Sequence, residues 1–331
     1  MASSCTKRAK RRKMEVLTKG KQKISCILSM DTIGDQVLHK PLPKIGEKRV
    51  DFAVHSLKDL PTTLPEGLVL GAVCRREDAR DVVLLNGKYE GKKLKELPER
   101  SVIGTSSLRR TAQLRRNYPQ FTVENIRGNL ETRLRKLTSE ENSYAAIILA
   151  SAGVKRMGWL DRIGQVLDGE EMLFAVGQGA LGVECRGDDP KTLSLLESLH
   201  DFETVCCVIA ERSFLRKLEG GCSAPVGVYS KFSNNTIQFV GAVWSLNGMK
   251  ELKLEEKLNL NEACPDSDET EEPKSALLHC PYNPSLLHHS TIIDIIFKNL
   301  SLVLEFIVSL RQIFILRSFL VLCSKLGKEG V

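Results

Sequence analysis

From residue 24 to about 186, short apolar runs alternate with segments of helical spacing. Apolar runs at 24–30, 50–56 (VDFAVHS), 68–74, 81–85, 101–104, 121–126 and 145–151 (AAIILAS) predict strands. Segments 106–116, 129–138 and 152–160 predict helices. This alternation predicts an α/β architecture with largely parallel sheets. A further helix is predicted over 201–219, with Asp201 as N-cap, an apolar face of Val205, Val208, Ile209, Phe214 and Leu215, and Gly220-Gly221 as terminator. Strand patterns at 224–230, 236–245 and 250–260 then predict a small α+β unit. Residues 264–274 (CPDSDETEEPK) read as an acidic linker, and 275–331 as an apolar tail foreign to the fold. Asp294, Lys298, Glu305, Arg311 and Arg317 interrupt that tail. No charge-free run there reaches the ~18 residues of a membrane span, so no membrane partner is expected.

Composition narrows the class. Apolar residues make up 42% of the 331 and charged residues 27%, which excludes global disorder, collagen and a disulfide miniprotein. The net charge of +7 is local. Residues 1–23 hold nine Lys and Arg against Glu15, so the rest of the chain is close to neutral. Within this basic, solvated leader, residues 7–13 form a polyanion-type patch. No nucleic-acid motif accompanies it, and no nucleic-acid partner is expected. Ten cysteines contain no C-x-x-C pair, so no metal site is expected. With no apolar secretory region at the N-terminus, scattered thiols point to a cytoplasmic protein.

In α/β sheets ligands bind beyond the C-terminal ends of strands, so the residues there carry the chemical information. Gly104-Thr105-Ser106-Ser107-Leu108-Arg109-Arg110 follows one strand and opens a helix. Arg127-Gly128-Asn129 repeats the design, with Arg133 in the helix that follows, and Ser151 to Arg156 repeats it again. Each alone reads as an N-cap with solvated arginines; three together read as a cleft for a polycarboxylated or phosphorylated ligand. His55 to Pro61 ends another strand and delivers Lys58 and Asp59. An ionised Asp facing such a cleft stabilises a developing cation. Gly177-Gln178-Gly179-Ala180-Leu181-Gly182 matches a dinucleotide fingerprint literally, but a strand follows it, so it reads as a tight turn or an interdomain crossing. Cys222, after Gly220-Gly221, is either a small buried thiol or an attachment point.

The strings HSLKDLPT, GTSSLRR, IRGNLETRLRKL, AAIILASAGVKRMGW, AVGQGALGVECR and LEGGCSAPVGV resemble the porphobilinogen deaminase (hydroxymethylbilane synthase) family, in that family's order. The resemblance covers about 29–48 and 50–262. It implies two periplasmic-binding-protein-like doubly wound domains and a small third one. The boundaries expected are a leader at 1–23, domain 1 at 24–76 and 177–200, domain 2 at 77–176, domain 3 at 201–263 and the linker and tail at 264–331. It implies a monomeric transferase that condenses four porphobilinogen molecules on a dipyrromethane cofactor, thioether-linked to Cys222. Asp59 would be catalytic. Lys58, Ser106, Arg109, Arg110, Arg127 and Arg133 would hold the cofactor, and Arg156 and Gln178 the substrate. The chain departs from the family in three places. A Lys/Arg-rich leader replaces the Gly-Thr-Arg motif of the first strand. No helix follows residues 44–48, and the third domain loses the pattern after about 262. Domain 1 is therefore expected to be incomplete, as in a truncated or alternatively spliced variant. The alternative is an inactive form retaining a carboxylate-binding domain.

Overall fold

The structure, a computed structural model, describes residues 12–17, 23–29, 45, 50–218 and 225–260. Four strands come first: β1 (Arg12–Leu17), β2 (Lys23–Ser29), β3 (Phe52–Ser56) and β4 (Leu68–Val73). Five follow: β5 (Asp81–Leu85), β6 (Val102–Gly104), β7 (Thr122–Glu124), β8 (Tyr144–Ala150) and β9 (Gln165–Val166). The last are β10 (Leu181–Arg186), β11 (Val226–Ser233), β12 (Thr236–Trp244) and β13 (Glu251–Asn259). The helices are α1 (Leu108–Asn117), α2 (Leu130–Thr138), α3 (Ser151–Arg156), α4 (Pro190–Glu197) and α5 (Phe202–Lys217).

These strands build three sheets, in the orders β1-β2-β3-β10-β4, β7-β6-β8-β5-β9 and β11-β12-β13. The second sheet shows how sequence dictates packing. β5 (DVVLL) is buried throughout, as a strand covered on both faces must be. Its side chains alternate: Val83 and Leu85 join a cluster with Ile103, Leu114 and Ile148, while Val82 and Leu84 join Ile126, Leu137 and Ile147 on the other face. Burying each such side chain contributes about 1.5–3 kcal/mol. The third sheet is an antiparallel meander with α5 against it, where the Phe214 ring meets Phe239 edge-on at 5.5 Å.

Four expectations need correction. The sheets are mixed instead of largely parallel: β2–β3, β6–β7 and β6–β8 are parallel, whereas β5 runs antiparallel to β8 and β10 antiparallel to β3 and β4. The cause is the path of the chain. It passes between the first two sheets twice, and the strand after each passage enters from the shared edge, opposite to its neighbours. The leader is also not wholly a solvated arm, because Arg12–Leu17 pairs with β2 across six residues. Backbone pairing there satisfies amide groups that a free arm would leave to water. Third, the helix expected over 152–160 stops at Arg156, and a 3-10 turn at Leu160–Arg162 follows. α4 was not anticipated, although Asp189 as N-cap before Pro190 at the first helical position is a readable start signal. Of the stretch 44–48, read as free of helix, only Ile45 is described, and it is helical and buried against Val50 and Ala53, contrary to that expectation. The acidic linker and the apolar tail lie outside the described residues. Among the described residues no helix is long and apolar enough to cross a membrane.

The two passages run side by side at 74–80 and 175–180. Cys74 N–H donates to Leu181 O at 3.0 Å and Glu77 N–H to Gly179 O at 3.1 Å. Gly177 and Gly179 have φ of +70° and +84°, a conformation glycine adopts without strain. The expected reading of this glycine run as a crossing is therefore the observed one. A Cβ on Gly179 would lie 2.5 Å from Glu77 O, in the neighbouring passage. Gly179→Ala is expected to lower stability by about 1–3 kcal/mol, read as a lower urea midpoint. An unchanged midpoint would mean the passages are not held by this contact.

Candidate active site

Two sheet edges meet at the passages. On the first sheet, β3 ends at Ser56 and the chain turns through a 3-10 turn, Leu57–Asp59. Leu57 is buried and donates its N–H to Ala180 O at 2.9 Å, and Gly177 packs against the Leu57–Lys58 peptide. These contacts hold the turn against the second passage and leave Asp59 half-buried. Lys58 retains exposed area, yet protein crowds its ammonium group. That desolvation lowers its pKa. Asp59 and Asp81 oppose the shift, and Arg110 and Arg109 reinforce it.

On the second sheet, the parallel strands β6, β7 and β8 end side by side, so the loops after them share one edge. Ser107 caps α1 by accepting from Arg110 N–H at 3.4 Å. Ser106 Oγ lies 2.6 Å from Asn125 Oδ1 and 2.5 Å from Ile126 O, which ties the first loop to the second. Asn129 caps α2 by accepting from Thr132 N–H at 2.7 Å. Arg133 folds back and donates from Nε to Gly128 O at 2.8 Å. Arg127, three residues after β7, and Arg156, the last residue of α3, are exposed.

Arg109 and Arg110 behave differently from solvated arginines. Both are buried against Asp81, which has no solvent exposure. Because β5 is antiparallel to β8, its first residue lies opposite Ala150, at the edge where the parallel strands end. Asp81 accepts from Arg109 Nη1 (2.8 Å), Arg110 Nε (3.1 Å), Arg110 Nη2 (2.8 Å) and Gln178 Nε2 (2.8 Å). Burial alone pushes the Asp81 carboxyl up, but the Arg109 and Arg110 charges outweigh it and hold the pKa well below the carboxylate range. Arg110 Nη1 also donates to Ile148 O (2.9 Å) and Arg109 Nη1 to Leu173 O (2.5 Å). Among the described residues the buried Arg109 Nε has no acceptor. The hub joins three expected site residues, and sequence reading missed its centre. The available signal was a lone carboxylate opening an otherwise apolar buried strand.

A second hub fixes the passages to α5. Arg76 donates to Glu211 Oε1 (2.5 Å) and Oε2 (3.1 Å), to Gln178 O (2.8 Å) and to Ser230 Oγ (3.2 Å). It also lies over the Phe174 ring at 4.9 Å. Glu211 Oε2 accepts from Gly177 N–H at 2.7 Å. Cys222 lies outside the described residues. Among the described residues no group of His, Cys, Asp and Glu is arranged to hold a metal.

The family model "Porphobilinogen deaminase, dipyromethane cofactor binding domain" matches residues 5–194, and "Porphobilinogen deaminase, C-terminal domain" matches 205–271. Both matches extend past the resemblance read from the motifs, reaching back into the basic leader and forward beyond 262. The porphobilinogen deaminase of Synechococcus elongatus is 48% identical over 241 residues, covering 69% of this chain and 75% of that protein. That of Desulforamulus reducens is 46% identical over 251 residues, covering 72% and 80%. Among solved structures, the P235GK mutant of ArgBP from T. maritima aligns over 47% of this chain and 64% of that one, at 17% identity and a TM-score of 0.26. The family match spans both passages and every strand-end loop described above, and on it the chain belongs to the porphobilinogen deaminase family, the hydroxymethylbilane synthases that work with a dipyrromethane cofactor.

Proposed function

We propose that this chain condenses four porphobilinogen molecules head to tail, releasing ammonia, with Asp59 as the catalytic carboxylate. The observation that carries this reading is a carboxylate turn beside a cationic strand-end edge: Leu57 holds the Asp59 turn to Ala180, and Gln178, two residues earlier in the same passage, reaches the Asp81 that binds Arg109 and Arg110. Porphobilinogen bears acetate and propionate side chains. Arg156 is the group we assign to them, because a planar guanidinium pairs with a carboxylate at two points. Loss of ammonia leaves an electron-poor azafulvene, and a carboxylate beside the pyrrole N–H lowers the energy of its positive charge.

The dipyrromethane, when bound, supplies the pyrrole carbon on which the chain starts. The buried Arg109 Nε without an acceptor among the described residues supports a carboxylate-bearing group at this edge. We assign Ser106, Arg109, Arg110, Arg127, Arg133 and Lys58 to hold it, Gln178 to the substrate side, and Cys222 as the point of attachment. Among the described residues, Arg110 gives three of its five N–H donors to Asp81 and Ile148, and we assign the other two to the ligand. We further infer a cytoplasmic monomer. The free thiols of Cys74, Cys185, Cys206 and Cys207 support a reducing compartment.

The test is the intact mass of the purified chain together with its turnover of porphobilinogen. The expected result is a dipyrromethane adduct on the unsubstituted chain and none on Cys222→Ser, since a hydroxyl is a far weaker nucleophile than a thiolate. The same adduct on Cys222→Ser would refute that attachment point. An unmodified, inactive chain would favour a carboxylate-binding form without catalysis.

A further inference from the structure

The chain after Asp59 has an unusual set of partners. Leu60 precedes Pro61, so it is held extended and its carbonyl joins no helix. Arg212 donates from Nη1 to Leu60 O at 3.0 Å and from Nη2 to Pro61 O at 2.5 Å. Arg216, one helical turn further along α5, donates from Nη2 to Thr62 O at 2.9 Å. Three successive carbonyls directly after Asp59 are thus held by two arginines on one face of one helix. The arginine fork suits this task, because its rigid donors span neighbouring carbonyls. Apolar contact continues the docking: Leu57 and Leu60, which flank Lys58 and Asp59, share a buried cluster with Val208 of α5 and with Leu70 and Val73.

The helix is itself fixed at its other end. Asp201, its N-cap, donates N–H to Val73 O at 2.9 Å, and Thr204 Oγ1 accepts from Arg76 N–H at 3.0 Å. α5 therefore sits as a strut between β4, the passages and the Asp59 turn. It ends at Lys217, five positions before Cys222 in the chain.

We propose that Arg212 and Arg216 are positioning residues for the reaction: they hold the Leu60, Pro61 and Thr62 carbonyls so that the Asp59 carboxylate keeps its place, and they tie it to the helix leading to Cys222. This rests on the reading of Asp59 as the catalytic carboxylate. Removing these donors leaves the apolar docking in place and frees the turn to shift, and a shift of about 1 Å in a catalytic group costs on the order of a hundredfold in rate. Substrate carboxylates bind elsewhere, so KM should hold while kcat falls.

The experiment uses the full chain with Arg216→Gln, Arg212→Gln and Arg212→Lys, and Asp59→Asn as the reference. Two quantities are read: kcat and KM with porphobilinogen, and hydrogen exchange at the Leu60 amide, which donates to Leu57 O within the turn. Exchange needs no turnover. Arg216 is exposed, so its substitution spares the core. Expected for Arg216→Gln is about tenfold lower kcat with KM within about twofold, and Leu60 exchange about tenfold faster while β12 amides keep their protection. Arg212→Gln should lose on the order of a hundredfold in kcat, with Arg212→Lys recovering part of it. Unchanged Leu60 exchange, or wild-type kcat in both Arg216→Gln and Arg212→Lys, would overturn the proposal. Normal turnover by Asp59→Asn would instead remove the reading of Asp59, whatever the arginine variants do.

Discussion

Asp59→Asn is expected to lower kcat for hydroxymethylbilane formation by roughly 10²–10³-fold, the range seen when one preorganised electrostatic group is removed from a developing charge. The substitution is nearly isosteric, so the turn at Leu57–Asp59 keeps its contacts with Ala180 and α5. What disappears is the negative charge. In the ground state that charge does little for binding, because the substrate side chains are themselves anionic and seek the arginines. It matters as ammonia leaves and positive charge grows on the pyrrole, so the loss should fall on kcat. The check is steady-state kinetics alongside calorimetric titration with a pyrrole carrying acetate and propionate groups. Near-normal turnover by the variant would mean that another group carries the cation.

The α/β class, most strands, the caps at Asn129 and Asp201 and a Ser or Thr cap within 105–107 were legible from residue patterns, because each depends on neighbours close in sequence. The convergence of the β6, β7 and β8 loops was also legible, since parallel strands end at one edge by construction. The orientation of Arg109 and Arg110 was not. Strand-end position predicts which edge a residue reaches, but not whether a buried anion turns it inward. That depends on β5, which runs antiparallel only because the chain crosses between sheets, and this reversal has no local signature. Arg212 and Arg216 escaped notice for a related reason. On a helix whose buried face reads as apolar, two arginines look solvated, and their carbonyl partners lie more than 150 positions away.

The same reversal makes Asp81 the residue whose loss should cost most in stability. Asp81→Asn keeps the shape of the side chain and removes the charge opposite two buried guanidinium groups. Breaking a buried ion pair by removing one partner costs about 3–5 kcal/mol, because the remaining charge has neither water nor counter-ion. Two arginines share this one carboxylate, so the loss should reach the upper part of that range. The pH dependence has a definite sign. The folded carboxyl sits well below its unfolded value, so its contribution is complete above the ordinary carboxylate pKa of about 3.9 and fades as pH falls toward the folded value. Urea denaturation of both proteins should therefore show a constant gap from pH 7 to about 5 and a shrinking one below pH 4. Arg109 and Arg110 would also lose the anchor that aims them, so the variant should bind the dipyrromethane poorly even at temperatures where it remains folded, which intact mass reads directly. A gap under about 1 kcal/mol at pH 7 would mean that solvent or another anion neutralises the pair, and that Asp81 is not the centre of the edge.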